Sequence, residues 1–161
     1  MSHRNPLEAL EPRTLMDAAL PAPPPTEFGV FGIGHTVYIN GNAARDFIRI
    51  LRAPASGTDQ REGQIQVQSN NTQSNFQPGN FKRVVIHGRA GDDIIRIDAS
   101  LPPTFHPRKL VLHGDEGNDT ITGSDRNDLI FGGDGNDLIV ASTGVDEVRG
   151  GAGDDRIDGG Y

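Results

Sequence analysis

The chain has no cysteine, no tryptophan and no apolar run approaching 18 residues. The first absence excludes a disulfide framework and a thiolate zinc site, and the last leaves no segment that reads as a membrane-spanning helix. Aromatic residues make up 6% and hydrophobic residues 34% of 161 residues, too little for an ordinary globular core unless that core is elongated. Glycine (21) and proline (11) fill the deficit, a composition that fits a solenoid with a disordered end. Basic charge is scarce where acid is dense. Residues 1–86 hold 8 basic and 7 acidic side chains (8 − 7 = +1), and residues 87–161 hold 7 and 15 (7 − 15 = −8). Such a surface repels nucleic acid and anionic lipid, so neither is an expected partner. No H-E-x-x-H, nucleophile elbow or P-loop is present, and the chain is not expected to be an enzyme.

What is there is a repeat. Residues 114–158 divide into five nine-residue units, GDEGNDTIT, GSDRNDLIF, GGDGNDLIV, ASTGVDEVR and GGAGDDRID. Each has Asp at its sixth place (Asp119, Asp128, Asp137, Asp146, Asp155) and an aliphatic residue at its eighth (Ile121, Ile130, Ile139, Val148, Ile157). The third unit, Gly132 to Val140, satisfies every specified place of the nonapeptide G-G-x-G-x-D-x-U-x.

The spacing carries chemistry. Six glycine-rich residues form a turn that takes positive φ without a Cβ penalty and aims carbonyls and one carboxylate at a common point. Hard oxygen donors in that number suit Ca²⁺. The other three residues form a short strand whose eighth place points inward. One aliphatic residue per unit makes a core only by stacking, so the fold class expected is all-β, a parallel β-roll or β-helix solenoid. Coils stack ~4.8 Å apart. Carboxylates ~5 Å apart repel by roughly 3 kcal/mol at an effective dielectric of 20, so a column of them calls for a cation, whereas an isolated Asp can cap its own turn. An EF-hand is excluded, because no 12-residue loop ending in Glu fits.

Upstream, residues 1–28 read as a disordered, proline-rich tail and linker: Pro6, Pro12, Pro21 and Pro23-Pro24-Pro25 forbid a continuous helix. Residues 29–113 read as irregular coils with long loops, and 114–161 as the regular roll. Thr36–Asn40 and Phe47–Leu51 flank a degraded turn, Gly41–Asp46, and Gln64–Gln68 is a further strand between polar loops at 53–63 and 69–80. Two longer copies follow 26 residues apart: Arg83–His87 leads into Gly88–Asp93, and Lys109–His113 into Gly114–Asp119, with a proline-rich insert at 100–107. If a coil is two units, 18 residues, then 88–93, 114–119, 132–137 and 150–155 stack on one edge, with 41–46 as a weak first rung. The opposite edge holds 123–128 and 141–146, where Arg126 replaces the fourth-place Gly and Ala141-Ser142 replaces Gly-Gly. About three metal sites are expected on the first edge, with the second weak or empty.

The contiguous units, the partial copies and the acidic bias together resemble the hemolysin-type calcium-binding repeat family, RTX. The resemblance implies a parallel β-roll, Ca²⁺ held between stacked turns, calcium-triggered folding and a secreted, extracellular or cell-surface home. Carried over by place, it implies carboxylate ligands at Asp93, Asp119, Asp137 and Asp155. Carbonyl ligands would come from Gly88, Gly91, Gly114, Gly117, Gly132, Gly133, Gly135, Gly150, Gly151 and Gly153, while Asp128 and Asp146 lie in turns that depart from the family pattern. Arg89 and Asp115 depart from it at the second place. Glu8–Met16 resembles the LEPR-x-L-L motif of exported bacterial proteins, with Met16 in place of the last Leu.

His87 and His113 share the ninth place of consecutive long coils and are expected to stack outward, as a surface ladder or a transition-metal pair. The function expected is that of a non-catalytic, secreted calcium-binding roll. The alternative is a cell-surface adhesion or scaffold module whose loops touch polysaccharide or a neighbouring protein, and end-to-end self-association through an uncapped solenoid end is also expected.

Overall fold

Alternating aliphatic residues at a fixed period build two sheets that share one core. The computed structural model describes residues 29–33, 35–52, 65–70, 72–76, 82–98, 101, 107 and 109–161. The tail at 1–28, its export-type motif, and the loops at 53–63 and 102–106 lie outside the described residues. The strands are β1 (Gly29–Ile33), β2 (Thr36–Asn40), β3 (Phe47–Arg52), β4 (Ile65–Ser69), β5 (Thr72–Phe76), β6 (Arg83–Ala90) and β7 (Ile94–Ile97). They continue as β8 (Lys109–Glu116), β9 (Thr120–Thr122), β10 (Asp128–Asp134), β11 (Leu138–Val140), β12 (Glu147–Ala152) and β13 (Arg156–Asp158).

One sheet has the order β1-β2-β6-β8-β10-β12 and the other β13-β11-β9-β7-β3-β4-β5, so from β5 onward successive strands alternate between sheets and wind a parallel β-roll. Only the β1-β2, β3-β4 and β4-β5 pairs are antiparallel. The register follows the repeat. Ile130 aligns with Leu112 below and Val148 above, an 18-residue step, and Ile86 with Leu112, a 26-residue step. The longer step therefore keeps the inward places in register. One expectation is corrected: 69–80 is not all loop, because Thr72–Phe76 pairs antiparallel with β4 as an added edge strand.

The core is two facing columns. Ile39, Ile86, Leu112 and Ile130 meet Ile48, Ile95, Ile121 and Ile139, all 0% exposed. The long coils carry a second inward rung, Val37, Val84 and Leu110 on one sheet and Ile50 and Ile97 on the other. That rung ends at Leu110, because the residue aligned above it is Asp128. The regular coils are thus narrower, and Val148 and Ile157 in the last one are only partly covered, Ile157 being 46% exposed. Ile121→Ala should destabilise the roll by about 2–5 kcal/mol in denaturant unfolding. Leu138→Ala, at an outward place 40% exposed, should stay within about 0.5 kcal/mol.

Candidate metal centre

Along one edge the turns Gly88–Asp93, Gly114–Asp119, Gly132–Asp137 and Gly150–Asp155 stack in register. Their second and fourth places take left-handed φ: Gly133 126°, Gly151 123°, Gly91 117°, Gly117 131°, Gly135 133° and Gly153 127°. Glycine is needed at the fourth place for a second reason as well. A Cβ on Gly117 would strike the carbonyl of Gly91 in the coil below, one on Gly135 that of Gly117, and one on Gly153 that of Gly135. Arg89 (φ 84°) and Asp115 (φ 76°), which break the repeat at the second place, adopt the same conformation, at roughly 1–2 kcal/mol each for an L-residue.

The sixth-place aspartates are almost sealed: Asp93 and Asp119 are 1% exposed and Asp137 2%. In each, Oδ1 accepts the backbone N–H of the equivalent Asp one coil earlier, at 2.7 Å for Asp46 to Asp93, 2.8 Å for Asp93 to Asp119, 2.8 Å for Asp119 to Asp137 and 3.1 Å for Asp137 to Asp155. The second oxygen is left over. Oδ2 of Asp93, Asp119 and Asp137 is buried with no hydrogen-bond partner among the described residues. It lies over the first glycine of its own turn, where the first-place carbonyl of the next coil also arrives: Gly114 O over Gly88, Gly132 O over Gly114, and Gly150 O over Gly132. Each rung thus brings together two oxygens that repel one another. Burial, and beyond it neighbouring carboxylates, pushes Asp93 from the ordinary 3.8 up to about 7 and Asp119 to about 6, and raises Asp137 as well.

The first turn of each edge is built differently. Among the described residues no equivalent aspartate N–H reaches Asp46 or Asp128, and other backbone and side-chain donors substitute. Asn42 N–H donates to Asp46 Oδ2 at 2.6 Å while Asn42 Oδ1 accepts Ala44 N–H, and Asn70 Nδ2 donates to Asp46 Oδ1. In the same way Ser124 N–H donates to Asp128 Oδ2 at 2.6 Å, its hydroxyl donates to the same carboxylate, and that hydroxyl accepts Arg126 N–H. These are Asx and Ser turns, which need no left-handed residue. Asp146 differs from Asp128 despite sharing its edge. Ser142 (φ 79°) and Gly144 (φ 140°) reproduce the left-handed pattern, Oδ1 takes Asp128 N–H, and Oδ2 is buried without a partner. The two doubtful turns therefore separate: Asp128 is already satisfied, and Asp146 is not.

A further set escaped the sequence reading. Fifth-place side chains accept the fifth-place N–H of the next coil: Asn118 N–H to Asp92, Asn136 N–H to Asn118, Asp154 N–H to Asn136, and Val145 N–H to Asn127, at 2.7 to 3.0 Å. The recurrence of Asn or Asp just before the sixth-place Asp was the signal. These bonds run opposite in sense to the Asp ladder and clamp the coil spacing from the other direction.

Paired carboxylate and carbonyl oxygens, with no donor between them, fit a hard cation that prefers oxygen. The family model of the RTX calcium-binding nonapeptide repeat matches residues 79–97, 113–148 and 131–160. The stacked turns are RTX calcium-binding repeats. No curated protein and no solved structure matches the chain. Ca²⁺ is the ion that RTX repeats bind, and the Asp93, Asp119 and Asp137 rungs of the RTX column supply oxygen at each level.

Two outcomes follow from the RTX geometry. The raised carboxylates favour the protonated folded state, so their contribution to metal-free stability is complete below about pH 4 and lost as pH rises through about 6 to 7. In metal-free protein, more strand signal should therefore remain at pH 5 than at pH 8, and Asp119→Asn should flatten that dependence. Gly135→Ala, which meets both a left-handed φ and the Gly117 carbonyl, should cost more than about 1 kcal/mol in denaturant unfolding, whereas Ala152→Gly should cost less.

Proposed function

We propose that this protein is a secreted, non-catalytic structural module that folds when it meets calcium. Its organisation would be a leading segment over 1–28 with an export-type motif, irregular coils over 29–113 and the ion-binding roll over 114–161. The observation that carries the reading is the column of buried, unpartnered Oδ2 atoms on Asp93, Asp119 and Asp137, each facing a carbonyl of the next coil. Three ions on that edge would take a carboxylate oxygen and first-place carbonyls at each level, with further carbonyls from the left-handed glycines. Asp155 would close the column through the N–H of Asp137. Asp146 would add a weaker fourth site, while Asp46 and Asp128, already held by Asn42 and Ser124, would take none.

Without the cation, buried like charges and the conformational entropy of the glycine turns oppose a core only one aliphatic residue deep per strand. Extracellular calcium modules bind at about 10⁻⁴ to 10⁻³ M, so a roll of this kind stays open in the cytosol and closes outside. Circular dichroism should show strand signal lost in chelator and restored by Ca²⁺, and calorimetry should give a stoichiometry near three strong sites. Asp119→Asn and Asp137→Asn should each weaken binding by about tenfold or more, and Asp46→Asn should not. Strand content unchanged by chelation, or native affinity in the Asp119→Asn Asp137→Asn double variant, would refute the reading.

A further inference from the structure

On the six-stranded sheet the ninth-place residues form a ladder of their own on the outer face. His87 aligns with His113 and His113 with Phe131. The two imidazoles stack with centroids 4.4 Å apart and planes 8° apart, and His113 stacks on Phe131 at 4.7 Å and 9°. Arg149 caps the far end, its guanidinium carbon 5.6 Å from the Phe131 centroid. Asp115 lies two places beyond His113 on β8, hence on the same face, and its Oδ2 sits 3.0 Å from His87 Nδ1. One donor atom each from His87, His113 and Asp115 falls within 4.8 Å of the other two.

We propose that His87, His113 and Asp115 form a transition-metal site, with zinc as the best-suited ion, separate from the calcium column. Two imidazole nitrogens and one carboxylate suit zinc, copper or nickel and not calcium, which avoids nitrogen donors. The set is placed in advance. Register holds the rings parallel, Phe131 fixes the outer face of His113, and the carboxylate contact sets the orientation of His87. The side chains of His87 and Asp115 are each 34% exposed, so an ion can enter and solvent can complete its shell. Tetrahedral zinc needs nitrogens about 3.4 Å apart, and the three donor atoms already lie within 4.8 Å of one another. Asn40, aligned with His87 on the next strand, has a buried amide with no hydrogen-bond partner among the described residues, and brings a neutral oxygen to the same row.

The test is Zn²⁺ titrated into the full chain held in saturating Ca²⁺. One zinc per chain is expected. His87→Phe and His113→Phe each prolong the aromatic stack while removing the ligand, and each should weaken zinc binding about tenfold or more, with calcium affinity and circular dichroism unchanged. Imidazole NMR of the unaltered protein gives a second readout that needs no variant: of the five histidines, His87 and His113 alone should shift on adding zinc. An unchanged isotherm in the double Phe variant would overturn the proposal. So would shifts at other histidines, or zinc binding that disappears as calcium is raised, which would assign the ion to the aspartate column.

Discussion

Stacking identical turns at strand spacing places like groups on like, and the structure depends on how that is resolved for the sixth-place aspartates. A carboxylate has two oxygens, and the roll uses them for different purposes. Oδ1 takes the amide of the previous aspartate and ties coil to coil. Oδ2 lies at the first glycine of its own turn, where a carbonyl of the following coil also arrives, and neither oxygen can donate to the other. Protonation or a cation relieves it, and these remedies are mutually exclusive.

The rule has boundaries, and the chain marks them. Where a column begins no earlier aspartate among the described residues donates its N–H, so the first carboxylate is satisfied by other groups. Asn42 and Ser124 do this with the same pattern of bonds on opposite edges. These two turns take no left-handed residue, and both oxygens of their carboxylates have donors.

Apolar burial is uneven along the roll. Long coils bury two inward residues per strand, such as Val84 with Ile86 and Ile95 with Ile97. Regular coils bury one, since Asp128 takes the place above Leu110 and Ile121, Ile130 and Ile139 stand without a second inward partner on their own strands. Part of the cohesion lost from the centre is returned at the edges, by the Asp ladder, the fifth-place Asn ladder and the backbone bonds from Gly117 N–H to Asp134 O and Gly135 N–H to Ala152 O. The regular coils thus rely on their turns more than the long ones do.

Period and composition alone determined the architecture: a nine-residue repeat with one aliphatic place admits a parallel roll, and the eighth-place column from Ile95 to Ile139 was legible without coordinates. So was the grouping of turns on two edges, because it depends only on an even count of units. Tertiary structure decided which aspartates keep a buried oxygen without a hydrogen-bond partner. Asp128 and Asp146 look equally degraded as text. Whether an earlier aspartate donates its N–H and whether a serine reaches the carboxylate are facts of three-dimensional neighbourhood, and they separate the two. Arg89 and Asp115 make the same point, since a residue that disfavours left-handed φ adopts it when the turns above and below fix its backbone. Local sequence sets preferences of a kilocalorie or so per residue, and a stacked column of hydrogen bonds overrides them.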